Sequence, residues 1–228
     1  MDKTLIISVH GICSNIDAND AWQIPFDNWL KQTYPVETAS KDLVHLPFSY
    51  GIVGAVASWF GLFQLSKTLA VQRYKKFLDA VIVNYPGYRV HVIAHSFGTV
   101  VSHQVLYEEM SRVKIASLHL VGGVISAHIQ KNYLDEMLLA NELEYCVVWS
   151  SHSDNVARFA PPPFGHLGYW GIIRDYEVGD RTKPIWQPYE YLSLYNRPTE
   201  YGHNDYFVPE VFQTWLKDIL YGPTSENT

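Results

Sequence analysis

Cysteine is nearly missing from this chain: 228 residues carry two, Cys13 and Cys146, neither in a C-x-x-C pair. A disulfide scaffold is therefore not indicated, and two buried thiols in a reducing compartment are the expectation, with a single bridge between them left open. Basic residues are also sparse. Lys and Arg number 17 against 23 Asp and Glu, for a net charge of -6, and they cluster nowhere beyond Lys75-Lys76. The electrostatic footprint of a nucleic-acid binder is thus lacking. No run of about 18 uncharged apolar residues with membrane-type flanks occurs. The start, Met1-Asp2-Lys3, runs straight into Thr4–Val9 without a basic leader, a long apolar stretch or a small-residue cleavage site. It reads as a first core strand, and a cytoplasmic location is the expectation. There is no H-E-x-x-H helix, no Cys/His framework and no G-x-x-x-x-G-K-[ST] loop, so no metal and no cofactor are expected. Neither a repeat nor a Gly/Ser/Pro linker divides the chain. It reads as one domain over residues 1–221 with a short tail, 222–228.

What is present is a regular alternation. Short apolar, β-branched runs at Leu5–Val9, Val90–Ala94, Leu118–Val124 and Tyr145–Trp149 have the length of buried strands, with weaker ones at Leu43–Phe48 and Tyr191–Tyr195. Between them, Ser66–Val83, Gly98–Met110, Gln130–Ala140 and Val208–Leu220 carry a helical period. Strands alternating with helices predict an α/β protein whose mostly parallel sheet is covered on both faces.

The most informative segment is Ala94-His95-Ser96-Phe97-Gly98, an A-x-S-x-G sequence set between a strand and a helix. In so tight a turn the residues two before and two after the serine must be small, or strand and helix collide. The serine is held at strained backbone angles that push Oγ outward, and the helix that follows points its N–H groups at the site. A serine that merely caps the helix is the plainer alternative. With Val9-His10-Gly11 after the first strand, Ser153-Asp154 after a late one and Gly202-His203-Asn204-Asp205 near the end, the chain resembles the α/β-hydrolase superfamily. Within it the chain is similar to the small intracellular lipases and serine esterases. The resemblance implies the α/β-hydrolase fold, in a small version without antiparallel N-terminal strands. It also implies oxyanion donors at the amides of Ile12, or of Cys13, and of Phe97. His10, Gly11, Cys13 and His95, beside those donors, are expected at the substrate.

A serine hydroxyl needs a histidine to take its proton, and that histidine needs a carboxylate to fix its tautomer. The fold supplies them in the order Ser, acid, His. Asp154 lies in the polar turn Ser150–Asn155, directly after a strand, where open α/β sheets place their sites. Its competing role is a helix N-cap or an Asx-turn, and Asp175, Asp180 and Asp205 are the other acids. Of 10 histidines, His203 stands between the last strand and the last helix and is the expected base, with His166 next. His45, His91 and His119 fall within strands, as packed core or face histidines. The expected catalytic set is Ser96, Asp154 and His203.

Residues 51–65 form a conspicuously apolar stretch, either a flap that touches an acyl group or a lipid surface, or a buried helix. Residues 155–201, long and aromatic, have the place of a cap. The resulting expectation is hydrolysis of a carboxylic ester with an apolar group. A thioesterase or amidase on the same residues is the alternative, as is a non-catalytic binding protein of the same fold.

Overall fold

A computed structural model describes residues 2–11, 22–50, 63–108, 114–128, 134–160, 164–173 and 193–223. Its centre is a six-stranded sheet of β1 (Thr4–Val9), β2 (Leu43–Phe48), β3 (Arg89–His95), β4 (Ile115–Val121), β5 (Leu143–Ser151) and β6 (Leu194–Thr199). The strand order is β2-β1-β3-β4-β5-β6, and every neighbouring pair is parallel. Both edge strands contain a proline, Pro47 in β2 and Pro198 in β6. Only there can a residue without an N–H sit without breaking a ladder.

Eight helices lie among the described residues: α1 (Gln23–Thr33), α2 (Pro35–Ala39), α3 (Phe63–Asn84), α4 (Phe97–Glu108), α5 (Leu134–Leu139), α6 (Asn155–Arg158), α7 (Leu167–Trp170) and α8 (Pro209–Tyr221). The strand period of two divides the sheet into unlike faces. One face carries Leu5, Ile7, Val92, Ala94, Leu118 and Val148 against Tyr74 and Leu78 of α3 and Val101 and Val105 of α4. The opposite face packs on Phe26 and Leu30 of α1 and Phe212 and Trp215 of α8. It mixes Ile6, Ile93 and Val147 with buried polar groups: Ser8, His91, His95, Ser117, His119 and Arg197. Among the described residues no helix is long and apolar enough to cross a membrane.

Several boundaries differ from the sequence reading. β4 begins at Ile115 and ends at Val121, because Gly122 takes φ +51° and turns the chain out of the sheet. The last strand is Leu194–Thr199 rather than Tyr191–Tyr195, so the excursion 155–201 ends in a strand of the sheet itself. α1 was not expected. Residues 51–62 of the apolar stretch, and 161–163 and 174–192 of the cap-like excursion, lie outside the described residues.

Close packing at the β3–α4 junction depends on one glycine. A Cβ on Gly98 would lie 2.5 Å from the carbonyl oxygen of Val9 and 2.6 Å from that of His10. Both are backbone atoms of β1 and its exit loop and cannot step aside. Gly98→Ala is therefore expected to force α4 off the sheet, at a cost of about 2 kcal/mol or more. A thermal melt should show a midpoint lowered by roughly 4 °C or more; an unchanged midpoint would contradict this packing.

Candidate active site

Ser96 follows β3 and precedes α4, with φ +53°. A left-handed backbone is uncommon for a residue with a side chain and marks stored strain. The turn is over-determined by its surroundings. Ser96 N–H donates to Val121 O of the neighbouring strand at 3.0 Å, and Ser96 O accepts from both Thr99 N (2.9 Å) and Thr99 Oγ1 (2.6 Å). Thr99 Oγ1 in turn accepts from Val124 N at 3.1 Å, tying the elbow to the exit loop of β4. Ala94, two before the serine, is fully buried, and Gly98, two after it, has no room for a Cβ. Phe97 is the first residue of α4, at the end where backbone N–H groups point out of the helix.

Asp154 and His203 meet at the same edge of the sheet. His203 Nδ1–H donates to Oδ1 and Oδ2 of Asp154 at 3.0 and 2.9 Å. That bond commits the ring to one tautomer and leaves Nε2 as the basic nitrogen. Asp154 is fully buried. Its Oδ1 also accepts Ala157 N–H at 2.8 Å, capping α6. The two roles weighed from sequence are thus compatible in one side chain. Of the other acids, Asp205 closes the turn of its own loop, accepting Gly202 N–H at 3.0 Å. Asp175 and Asp180 lie outside the described residues. His166 donates Nδ1–H to Ala157 O at 2.8 Å and so supports α6 rather than pairing with Asp154.

Gly11 lies directly against the serine. A Cβ there would be 2.8 Å from Ser96 Cβ and 3.3 Å from Ser96 Oγ, so only glycine lets this loop pass. His10 is buried, with its ring stacked on Tyr50 at 4.4 Å, Nδ1 on the Gly11 carbonyl and Nε2 on Ser49 Oγ at 3.1 Å. Burial lowers its pKa. Its ring packs behind the Gly11 backbone, against Tyr50 and Ser49. His95 is buried as well. Ile12 and Cys13 lie outside the described residues.

Gly122 was missed by the sequence reading. Its φ is +51°, and a Cβ on it would be 3.0 Å from Asp154 Oδ2 and 3.1 Å from His203 Nδ1. The Gly122-Gly123 pair at the end of a strand was the available signal. Its physical content, a bare backbone beneath the Asp–His pair, emerges only when three strand ends are brought together.

A hydrogen-bonded Ser–His–Asp chain lies elsewhere in the fold. Ser8 Oγ is 2.7 Å from His45 Nε2, and His45 Nδ1 is 3.2 Å from Asp27 Oδ1. Two features separate its serine from Ser96. Ser8 is fully buried within β1, and Gln23 Nε2–H already donates to its Oγ at 3.0 Å and to its carbonyl at 2.7 Å. It also has extended strand geometry in place of a strained elbow at a helix start. It is an internal hydrogen-bond chain joining α1 to the sheet. Ser8→Ala is expected to leave activity untouched and to cost about 1–3 kcal/mol, because Gln23 and His45 lose a buried partner. Urea unfolding beside an esterase assay checks this; lost activity at unchanged stability would contradict it.

No protein-family model and no curated protein sequence matches the chain. Solved structures do. A structure described as a cell surface hydrolase, from Lactobacillus plantarum, matches over 98% of this chain and 94% of its own, at 12% identity and a TM-score of 0.50. The chain has the α/β-hydrolase fold. An esterase domain from Rhodothermus marinus matches over 95% of this chain and 87% of its own, at 10% identity and a TM-score of 0.47. Phospholipase PlaB of Legionella pneumophila matches at 13% identity and a TM-score of 0.41; there the chain covers 67% of itself and spans only 39% of the phospholipase. In the α/β-hydrolase fold the carboxyl ends of the parallel strands form the ligand-binding edge. Ser96 after β3, Gly122 after β4, Asp154 after β5 and His203 after β6 all stand at that edge.

Proposed function

We propose that this protein is a serine hydrolase that cleaves a carboxylic ester through an acyl-enzyme. The observation that carries the reading is Ser96 at φ +53° on the β3–α4 elbow, at the same sheet edge as His203 bonded through Nδ1 to the buried Asp154, which leaves Nε2 as its basic nitrogen. Ser96 Oγ attacks the ester carbonyl while its proton passes to His203 Nε2. The carbonyl oxygen takes the negative charge, stabilised by the amide of Phe97 at the start of α4. The C–O bond to the leaving group then breaks, and His203 returns the proton to the departing alkoxide, which leaves as an alcohol. A water, deprotonated by His203, attacks the acyl-enzyme; the acid leaves and Ser96 regains its proton. Asp154 holds the imidazole throughout.

A cavity of about 390 Å3 supports a substrate with an apolar or flat group. It is lined by Ser126, His128, Phe164, His166, Trp170 and Ile173. Its walls come from the exit loop of β4 and the segment around α7, and the Phe164 ring packs edge-on to that of Phe97 at 6.2 Å. We read residues 1–221 as one domain, with the segment after Asp154 as its cap.

The test is turnover of p-nitrophenyl esters of rising chain length, set beside matched thioesters and amides, for wild type and Ser96→Ala. The reading predicts hydrolysis of esters above the other two, abolished in the variant. Hydrolysis that survives Ser96→Ala, or none by the wild type on any ester, would overturn it.

A further inference from the structure

His95 occupies the variable position of the elbow, where the spacing rule asks for nothing in particular. Its ring is only 3% exposed. Nε2–H donates to the backbone carbonyl of His203 at 2.9 Å, and the two imidazoles pack with centroids 4.7 Å apart at 42°. Phe207, four residues beyond His203, closes on the His95 ring edge-on at 4.8 Å. On the other side Nδ1 lies 3.3 Å from where a Cβ on Gly11 would sit, and among the described residues it has no hydrogen-bond partner. One ring thus touches the loop that carries His203 and the loop that opens at Gly11, and its own backbone precedes Ser96.

A buried imidazole with one unmet nitrogen is a poor choice for stability alone. An aromatic hydrocarbon would fill the same space without that penalty. What only the imidazole supplies is the Nε2–H bond to His203. Burial first, and the neighbouring His203 second, push the His95 pKa down to about 3, so the ring is neutral while the site works. A charged ring there would oppose the imidazolium that forms on His203.

We propose that His95 is a positioning residue, whose Nε2–H holds the His203 backbone so that the His203 imidazole stays within reach of Ser96. The proposal rests on the Ser96–His203–Asp154 reading and adds to it a stability sacrifice made for geometry. Without the bond the His203 backbone keeps the Asp154 pair and the Asp205–Gly202 turn to place it, and misplacement by about 1 Å costs roughly 100-fold in rate.

The test compares His95→Phe, His95→Gln and His95→Asn in ester turnover and thermal melting, with Ser96→Ala alongside. The Gln amide reaches as far as Nε2 and keeps a donor; the shorter Asn does not. The expected result is a kcat reduced roughly 10- to 100-fold in the Phe and Asn variants with KM nearly unchanged. Gln should recover most of the loss, and the Phe variant should melt no lower than wild type. Should the Phe variant fail to fold, the Gln–Asn contrast carries the same test. Wild-type kcat in the Phe or Asn variant, or losses that follow the melting temperature and are not recovered by Gln, would overturn the positioning role and leave the triad standing. Retained turnover in Ser96→Ala would instead overturn the underlying reading.

Discussion

Asp154→Asn is expected to leave the fold standing and to cut ester turnover by about four orders of magnitude, the scale set by loss of histidine orientation in such triads. That is about 5 kcal/mol of barrier. The two halves of the expectation come from different bonds of the same side chain. As the cap of α6, Asp154 accepts Ala157 N–H through Oδ1. Asn is an equally good N-cap, so this bond survives and stability barely changes. As the partner of His203, Asp154 accepts Nδ1–H with both oxygens. The amide of Asn has one acceptor and one donor, and its donor can hold the wrong tautomer, with the proton on Nε2 and the base lost. Thermal melting beside steady-state kinetics separates the two. A large drop in melting temperature with near-normal turnover would make Asp154 a cap alone. Asp205→Asn should cost far less in rate, because that carboxylate closes the Gly202 turn.

Lowering the pH from 7 to 5 is expected to remove much of the folding stability. Burial pushes the pKa values of His91, His95 and His119 down to about 3, with Arg89, His203 and His91 respectively as the leading charged neighbours. Unfolded, each imidazole titrates near its ordinary value of about 6.5. Between those two pH values the unfolded chain binds the protons and the folded one refuses them, so stability rises with pH across this window and is lost as pH falls through about 6.5. The loss at pH 5 is about 2 kcal/mol for each ring, or about 6 kcal/mol for the three, against a typical total of about 5–15. His10 and His45 are also lowered by burial and act in the same sense. Asp218, raised by burial in its pair with Arg197, acts in the opposite sense, but it is one group. Urea unfolding at pH 7.5, 6 and 5 measures the slope, and equal midpoints would contradict it. His119 has no partner on either ring nitrogen among the described residues. His119→Leu should therefore hold or raise stability at pH 7.5 and reduce the slope by about a third.

The parts of this architecture that were legible in sequence are those set by local rules. The elbow showed itself because sterics require Ala94 and Gly98 at fixed offsets from Ser96, and the strand and helix flanking it have their own periods. Asp154 and His203 were legible through position, each just past a strand. The polar face of the sheet was not. Val90–Ala94 reads as one apolar run, yet within it His91 turns with Ile93 to the face under α1 and α8 while Val92 and Ala94 turn to the other. Whether such a histidine is satisfied depends on what the neighbouring strand and helix bring. His91 meets Ser117 Oγ at 2.7 Å, and among the described residues neither ring nitrogen of His119 has a hydrogen-bond partner. The buried Arg197–Asp218 pair, 2.8 Å apart, joins β6 to α8 across 21 residues, and no local pattern announces it. Gly122 and the bond from His95 to the His203 backbone escaped for the same reason: each involves residues that the fold delivers from different strand ends.

The central claim is that Ser96, and no other serine, is the nucleophile. Covalent labelling with a fluorophosphonate, followed by mass-spectrometric mapping of the modified peptide, tests it most directly, because Ser8 also stands in a Ser–His–Asp hydrogen-bond chain, with His45 and Asp27. The account predicts a single adduct on Ser96, lost in Ser96→Ala and retained in Ser8→Ala. An adduct on Ser8 or Ser126, or labelling that persists in Ser96→Ala, would contradict it.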